Sequence, residues 1–297
     1  MNIIKDKKIL LAEVGLLFVA MFWGMGFVAG KYVLADMGPF DVMAYRYGFA
    51  FIVMFLCAIR HLKAIDKKTL KAGALIGTMM FIGNTLQTIG LQYTTPGKQT
   101  FIICMYTVIV PLLSWLIFKE KAPKNICIAA VIAFIGIGLL TLQDDLSIGF
   151  GDGLTFLFAI SFSMHVILVG RFMKDMDPMA FALVQIGVCA VWSIMTCIFF
   201  GEGANVMDLS MPGVLGLMQL VFLNTVFAFI LQNTCQQIAP ANHTAILLST
   251  ETVFGTFFAV TLAGEVFHGR MFIGCVLMFV AIIVSNIPLK GGKKDEI

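Results

Sequence analysis

The first membrane-length segment decides the fold class, and it comprises residues 9–34, which read ILLAEVGLLFVAMFWGMGFVAGKYVL. Only Glu13 and Lys31 are charged within this segment. About 20 apolar residues in a helix are enough to cross the ~30 Å hydrocarbon core of a bilayer. The segment is longer than the core of a signal peptide and lacks a small-residue cleavage site, so it is predicted to remain as the first transmembrane helix.

Similar apolar blocks fill the rest of the chain. Of the 297 residues, 60% are apolar and 12% are charged, and the mean hydropathy is +0.96. Soluble domains carry about a quarter charged residues, so a soluble fold is excluded, and no block shows the alternating polarity of a membrane β-barrel. The sequence predicts an all-α integral membrane protein with ten transmembrane helices. The predicted helices cover residues 9–34, 40–59, 72–92, 98–118, 125–142, 153–170, 179–200, 213–237, 243–263 and 270–289.

The basic residues predict how these helices are oriented. If both termini are cytoplasmic, 16 of the 20 lysines and arginines fall on the cytoplasmic side. Because cytoplasmic loops are enriched in lysine and arginine, this bias predicts a multi-pass protein of the cell inner (cytoplasmic) membrane with both termini in the cytoplasm. The net charge of +3 is too small and too scattered for a nucleic-acid-binding surface.

The two halves of the chain resemble each other in sequence. The stretch AGKYVLADMGP at residues 29–39 recurs, one residue shorter, as VGRFMKDMDP at residues 169–178. Further along, TPGKQT at residues 95–100 aligns with APANHT at residues 239–244, at an offset of 144. Several matches in the same order indicate an internal repeat.

An odd number of helices in each half would turn the second half upside down relative to the first. We therefore expect two inverted five-helix repeats, residues 1–145 and residues 146–297. Inverted repeats around a midplane site are common in transporters. The cavity is expected between helices 1, 3, 4, 6, 8 and 9.

Several motifs resemble the EamA family of the drug/metabolite transporter superfamily. They are Phe22-Trp23-Gly24, Arg46, the run GLQYTTPGKQTFIICMYTVIVPLLSWLIFKE at residues 90–120, and APANHTAILLSTETVF at residues 239–254. The resemblance covers almost the whole chain. It implies ten helices in two EamA repeats and the export of small metabolites, often amino acids or related compounds. One local motif, LAEVG at residues 11–15, resembles instead the acidic first-helix motif of the small multidrug resistance family.

Glu251 is the main candidate for a functional residue because it is the only acidic residue deep within a predicted helix. A charge at the bilayer centre costs at least about 2.5–3.5 kcal/mol, so such a residue normally faces a cavity or a partner. Glu251 could bind an amine or carry a proton, or it could be a structural carboxylate. Helical spacing aligns Thr244 and Gly255 with it, and the repeat gives Thr107 as the equivalent residue.

Other polar or aromatic residues within predicted helices are candidates for substrate binding. Arg46 could bind a carboxylate through its planar guanidinium or extend to the outer interface. Trp23 could stack on a solute or pack in the core, and His165 could relay protons or be a hydrogen-bonded core residue. Amide and hydroxyl groups in hydrocarbon need partners, whether a neighbouring helix or a polar solute. The predicted substrate-binding residues are Trp23, Arg46, Asn84, Thr107, His165, Gln232 and Glu251.

Two residues are candidates for proton coupling, namely Glu251 and Glu13. Glu13 lies about one turn inside the predicted inner edge, where it could instead be an interfacial residue that extends to the headgroups.

These observations predict a secondary transporter that moves small metabolites outward by alternating access around a central cavity. A multidrug or cation–proton antiporter is the alternative, and an intramembrane enzyme fits less well because no catalytic motif lies near a membrane face. No catalytic residue, cofactor or metal site is predicted, and the seven cysteines show no CxxC spacing. Expected partners are a small-molecule substrate, membrane lipid and, if a carboxyl group titrates during transport, protons. No nucleic acid is expected, and the sequence leaves monomer and homodimer open.

Overall fold

The computed structural model describes residues 3–94, 96–141, 149–262 and 268–287, and its regular elements there are helices. Within these ranges, nine helical stretches are long and apolar enough to cross a membrane. The fifth predicted helix, residues 125–142, overlaps the apolar helix Lys124–Thr141, which is not among those nine. The all-helical, multi-pass architecture thus agrees with the sequence, whereas the count of ten remains a prediction.

The helices closely follow the predicted positions. In chain order they are α1 (Ile3–Asp36), α2 (Pro39–Ala58), α3 (Lys67–Tyr93), α4 (Pro96–Cys104), α5 (Tyr106–Phe118), α6 (Lys124–Thr141), α7 (Phe150–Phe172), α8 (Pro178–Phe200), α9 (Met211–Val221), α10 (Ala228–Gln236), α11 (Ala241–Leu248), α12 (Glu251–Leu262) and α13 (Gly269–Asn286).

Local sequence explains where α3 and α8 begin. The carboxylate of Asp66 accepts a 2.7 Å hydrogen bond from the backbone N–H of Thr69, and that of Asp177 accepts one of 2.9 Å from Ala180. Both are N-cap interactions that satisfy a free backbone donor in the first turn. Pro178 follows its cap directly, where the missing N–H carries no penalty.

The fourth predicted helix, residues 98–118, is interrupted at Met105 and forms two helices, α4 and α5. Pro111 lies inside α5 and has no N–H to donate to the carbonyl of Thr107 four residues earlier. The interruption itself is at Met105, six residues before this proline, where the backbone N–H of Met105 donates to the carbonyl of Ile102 three residues earlier at 3.2 Å.

The ninth predicted helix, residues 243–263, is also interrupted, between α11 and α12. The hydroxyls of Ser249 and Thr250 donate to the carbonyls three residues earlier, at 2.8 and 2.6 Å, and Thr252 does the same at 2.9 Å. Such back-bonding competes with the helical ladder and bends helices. The breaks at Met105 and Ser249 are 144 residues apart, which is the offset of the sequence repeat.

A π-helical segment, Phe222–Phe227, joins α9 to α10 within the eighth predicted helix. Thr225 donates its hydroxyl proton to the carbonyl of Leu220 at 2.8 Å, five residues earlier. Single π-helical turns inside α-helices are rare and often occur at functional sites.

The packing of the helices defines the interior. α1 packs against α9, α10 and α12, while α3 packs against α7 and α8. α2 packs against α8, α6 packs against α13, and both α4 and α5 contact α7. These contacts leave a central space between α1, α2, α3, α4, α7, α12 and the segment that runs from α9 through the π-helical turn to α10.

Candidate functional site

A cavity occupies this central space and provides about 100 Å³ in which the centre of a water molecule fits. One water needs about 10–15 Å³ on this measure, so the cavity can hold several waters or a small solute. Its wall includes five of the predicted substrate-binding residues: Trp23, Arg46, Asn84, His165 and Glu251. All six predicted helices that were expected to surround the cavity contribute residues to its wall. The second predicted helix, α2, also contributes, through Val42 and Arg46.

Arg46 is buried in the cavity wall, with 8% of its surface exposed. Its Nε donates to the hydroxyl of Thr225 and its Nη2 donates to Oδ1 of Asn224, both at 2.9 Å. Within the described part of the chain, no carboxylate lies within 4 Å of Arg46, and its Nη1 has no hydrogen-bond partner. The π-helical segment thus holds one edge of the guanidinium through neutral groups.

Asn224 also joins this segment to α1. Its Nδ2 donates to the carbonyl of Phe22 at 3.2 Å, and its own backbone carbonyl accepts a 3.1 Å hydrogen bond from the indole N–H of Trp23. A Cβ atom on Gly26 would collide with the amide of Asn224, so glycine is needed for this close approach. One asparagine therefore contacts Arg46 on α2 and the Trp23 region on α1.

Glu251 is the first residue of α12, and 4% of its surface is exposed. Its Oε1 accepts hydrogen bonds from the thiol of Cys104 and the hydroxyl of Tyr106, both at 3.3 Å. These donors flank the break at Met105, so the interruptions in the fourth and ninth predicted helices meet at this carboxylate. No basic side chain of the described residues lies within 4 Å of it.

Aromatic rings form the apolar part of the wall. The Trp23 ring meets Phe162 edge-on with centroids 5.4 Å apart, and it lies 5.9 Å from the ring of Phe229. His165 stacks on Phe162 at 5.6 Å and meets Phe229 edge-on at 5.9 Å. Neither ring nitrogen of His165 has a hydrogen-bond partner among the described residues.

Polar residues of α3 form another part of the wall. Asn84, Gln87 and Thr88 line the cavity, but Asn84 donates to the carbonyl of Met80 at 2.8 Å and Thr88 donates to the carbonyl of Asn84 at 2.7 Å. One amide proton of Asn84 and the hydroxyl proton of Thr88 are therefore used within α3. The side-chain carbonyl oxygen of Asn84 can still accept a hydrogen bond from a solute.

Three predicted candidates do not line the cavity. Thr107 is buried but does not line the cavity. The fourth predicted helix is interrupted at Met105, so the regular helical spacing that would have placed Thr107 beside Glu251 does not hold. Gln232 donates to Oε1 of Gln236 at 2.9 Å instead. The wide π-helical turn shifts the helical register after it, so Phe229 faces the cavity and Gln232 does not.

The third of these candidates is Glu13, which lies closer to the start of α1 than the cavity does. Its Oε1 is 3.0 Å from Nε2 of His243 on α11. Conversely, the cavity wall includes Gln99, Ser161 and Asn224, which were not predicted as binding residues. Asn224 could have been suspected from the cluster of amides in the eighth predicted helix, but Gln99 and Ser161 carried no distinguishing signal.

Comparison with known proteins agrees with this architecture. The sequence profile of the EamA-like transporter family matches residues 10–142 and 149–287. An uncharacterized transporter of Archaeoglobus fulgidus is 29% identical over 280 residues, covering 94% of this chain and 87% of the relative. The uncharacterized transporter YyaM of Bacillus subtilis is 26% identical over 285 residues, covering 91% of this chain and 92% of the relative.

The fold also matches a known crystal structure, with a TM-score of 0.77, 16% sequence identity, and coverage of 93% of this chain and 96% of the other. At this identity the likeness concerns the fold alone. The family match covers most of the chain, and the chain therefore belongs to the EamA-like transporter family of membrane proteins. The names of the family and of the relatives indicate a transporter and not an enzyme.

Proposed function

We propose that this protein is a secondary transporter for small zwitterionic metabolites, such as amino acids and related amphiphilic compounds. One observation carries the proposal: the basic side chain of Arg46 and the acidic side chain of Glu251 line the same cavity and are not paired with each other. Burying an isolated charge costs far more than burying a compensated one. A solute carrying both a carboxylate and an ammonium would compensate both side chains at once.

The carboxylate of the solute is assigned to Arg46. Thr225 and Asn224 use Nε and Nη2 of the guanidinium, while Nη1 remains without a partner among the described residues. A guanidinium binds carboxylates well because its N–H groups are arranged in a planar fork. The ammonium is assigned to Glu251, and the rings of Trp23 and Phe162 provide apolar surface for the rest of the solute.

We further propose that transport uses two inverted repeats, residues 1–145 and 146–297, that rock around the cavity. The packing supports this, because the same helix contacts result when each of the ten predicted helices is replaced by the one five later, counting on from ten to one. Predicted helices 3 and 6 (α3 and α7) pack together, and so do their equivalents, predicted helices 8 and 1 (α9 and α1). The pairs 2 with 7 (α2 and α8) and 5 with 10 (α6 and α13) map onto themselves. The matched breaks at Met105 and Ser249 support it as well.

The proposed orientation puts both termini in the cytoplasm, and the proposed direction of transport is outward, as the family resemblance implies. The orientation is tested with an Ile65→Cys variant, because residue 65 lies between α2 and α3 on the side richest in lysine. A membrane-impermeant maleimide should label this cysteine in inside-out vesicles but not in intact cells. Labelling in intact cells would contradict the orientation.

A matched series of compounds tests the substrate class in proteoliposomes. L-Phenylalanine carries both charges, phenethylamine lacks the carboxylate, and phenylacetate lacks the ammonium. We expect concentration-dependent flux of the zwitterion and weaker flux of the other two, with Arg46→Gln removing the preference over phenethylamine. Flux of phenethylamine alone would instead favour the cation–proton antiporter. The supporting observation for that alternative is that, among the described residues, Glu251 is the only carboxylate in the cavity wall.

A further inference from the structure

The contact between Glu13 and His243 joins two helices at the end of the bundle where α1 and α11 both begin. Oε1 of Glu13 lies 3.0 Å from Nε2 of His243, and the two side chains are 19% and 10% exposed. A carboxylate can only accept, so the imidazole nitrogen donates. A hydrogen bond to a charged acceptor is roughly twice as strong as one between neutral groups.

An apolar layer separates this contact from the cavity. On α1, Leu16 and Val19 lie between Glu13 and the first cavity residue, and both are fully buried. On α11, Leu247 and Leu248 lie between His243 and Glu251 and are buried in the same hydrophobic cluster. A path from the cavity to this end of the bundle between α1 and α11 therefore requires these two helices to separate.

We propose that Glu13 and His243 form the closing contact of the transport pathway at the amino-terminal end, and that the contact breaks when the cavity opens to that side. This inference rests on the alternating-access cycle of the proposed function. It gives Glu13 a role outside the cavity, at the edge of the layer that seals it.

The other half of the chain has a related contact at the opposite end. The repeat offset of 144 pairs His243 with Gln99 at the start of α4. Nε2 of Gln99 donates to the backbone carbonyl of Gln87 at 2.8 Å and lies 3.4 Å from the hydroxyl of Thr155 on α7. Equivalent positions thus join α11 to α1 at one end and α4 to α7 at the other.

The test measures which side of the membrane reaches the cavity, and it needs no known substrate. A Ser161→Cys substitution places a thiol in the cavity wall with little change in size. A membrane-impermeant maleimide is added to right-side-out or inside-out vesicles, and mass spectrometry of the peptide containing residue 161 gives the labelling rate from each side. Labelling of the native cysteines is measured separately, from the other peptides of the same digest.

In this background, His243→Ala should raise the labelling rate from the amino-terminal side about tenfold, the change expected from losing a hydrogen bond to a charged group. Glu13→Gln should act in the same direction with a smaller increase, and it tests the idea if the alanine variant does not fold. Gln99→Ala should raise labelling from the opposite side only.

Asn125→Ala is the matched control. Asn125 on α6 donates to the backbone carbonyl of Ser285 on α13 at 2.8 Å, at the same end of the bundle but away from the cavity wall. Its loss should leave the labelling of residue 161 unchanged. The proposal is overturned if the His243 and Glu13 variants label like their parent, or if Asn125→Ala or Gln99→Ala raises labelling from the amino-terminal side as much as His243→Ala.

Flux of L-phenylalanine is measured separately in the same variants. Side-specific labelling without any flux would support the closing contact and contradict the proposed substrate class. Flux with unchanged labelling would contradict the closing contact and leave the proposed function standing.

Discussion

The hydroxyl of Tyr106 lies 3.3 Å from the carboxylate of Glu251, although 145 residues separate them along the chain. Tyr106 is the first residue of α5 and Glu251 is the first residue of α12, so each follows a break in its helix. The contact therefore connects the two interrupted helices at the cavity wall. A shift of either half-helix would change the surroundings of the carboxylate.

Replacing Glu251 with glutamine should reduce transport while preserving the fold. The substitution keeps the size and removes the charge that we assign to the solute ammonium, so flux of L-phenylalanine in proteoliposomes should fall about tenfold or more. Because glutamine does not titrate, the dependence of flux on pH should flatten.

The control for this change is Glu120→Gln, since Glu120 pairs with Arg171 at the protein surface with 2.6 Å between Oε1 and Nη2. It makes the same chemical change outside the cavity and should transport normally. Normal flux by the Glu251 variant between mildly acidic and mildly alkaline pH would show that this carboxylate is structural.

Asn224→Ala should weaken solute binding by leaving the guanidinium of Arg46 without one of its two fixed partners. We expect the Michaelis constant for L-phenylalanine to rise about five- to tenfold, with a smaller change in the maximal rate, because a hydrogen bond to a charged group is lost. Asn233→Ala removes a buried amide from α10, outside the cavity wall, and serves as the control. Equal effects of both variants would mean that Asn224 acts only through stability.

Gly24→Ala should destabilise the protein because α1 approaches α12 closely at this point. A Cβ atom on Gly24 would lie 2.6 Å from the carbonyl oxygen of Glu251 and 2.7 Å from the backbone nitrogen of Gly255. Backbone atoms cannot easily move away, so overpacking should cost about 1–3 kcal/mol in unfolding free energy. Thermal unfolding in detergent measures this loss.

The matched change is Gly48→Ala in α2, where a Cβ atom would meet nothing within 4 Å. Alanine is the better helix former by about 1 kcal/mol, so this variant should be as stable as the parent or slightly more stable. Equal unfolding temperatures of the Gly24 and Gly48 variants would disprove the close approach of α1 to α12.

Asp177 should contribute stability that is lost in acid. Partial burial opposes its ionisation, but hydrogen bonds from Ala180 and His61 outweigh this and lower the pKa of its carboxyl group below the usual value. A lowered pKa in the folded state means that the contribution is complete above the unfolded pKa of about 3.9 and disappears as the pH falls through the folded value.

Asp177→Ala removes the N-cap of α8 and should cost about 1 kcal/mol near neutral pH. Unfolding of the parent and the variant is compared from pH 7 to pH 3, and the difference between them should shrink at the acidic end. A difference that stays constant over this range would contradict the role of the charged cap.

The sequence predicted the described helices well because hydrocarbon imposes a strong length and polarity requirement on each span. It also singled out Arg46 and Glu251, which line the cavity, since charges within apolar blocks are rare enough to stand out. Both inferences depend on composition within one segment. They needed no knowledge of which helices are neighbours.

The interruptions could not be predicted in the same way. Pro111 signals a bend, but the break at Met105 lies six residues before it, and Ser249 and Thr250 become breakers only when their hydroxyls bond to the backbone instead of to neighbouring helices. The π-helical segment carries no sequence marker and shifts the register of everything after it. Thr107 and Gln232, whose positions were extrapolated along regular helices, lie outside the cavity wall.

Trp23, whose indole N–H donates to the backbone carbonyl of Asn224, also gives the protein an intrinsic fluorescence probe. The chain has three tryptophans, and the other two, Trp115 and Trp192, are 47% and 39% exposed on the outside of the bundle. Replacing those two with phenylalanine would leave a single indole in the cavity wall, with its N–H bonded to the backbone of the π-helical segment. The emission wavelength of that indole would then report solute entry in real time, without any attached dye.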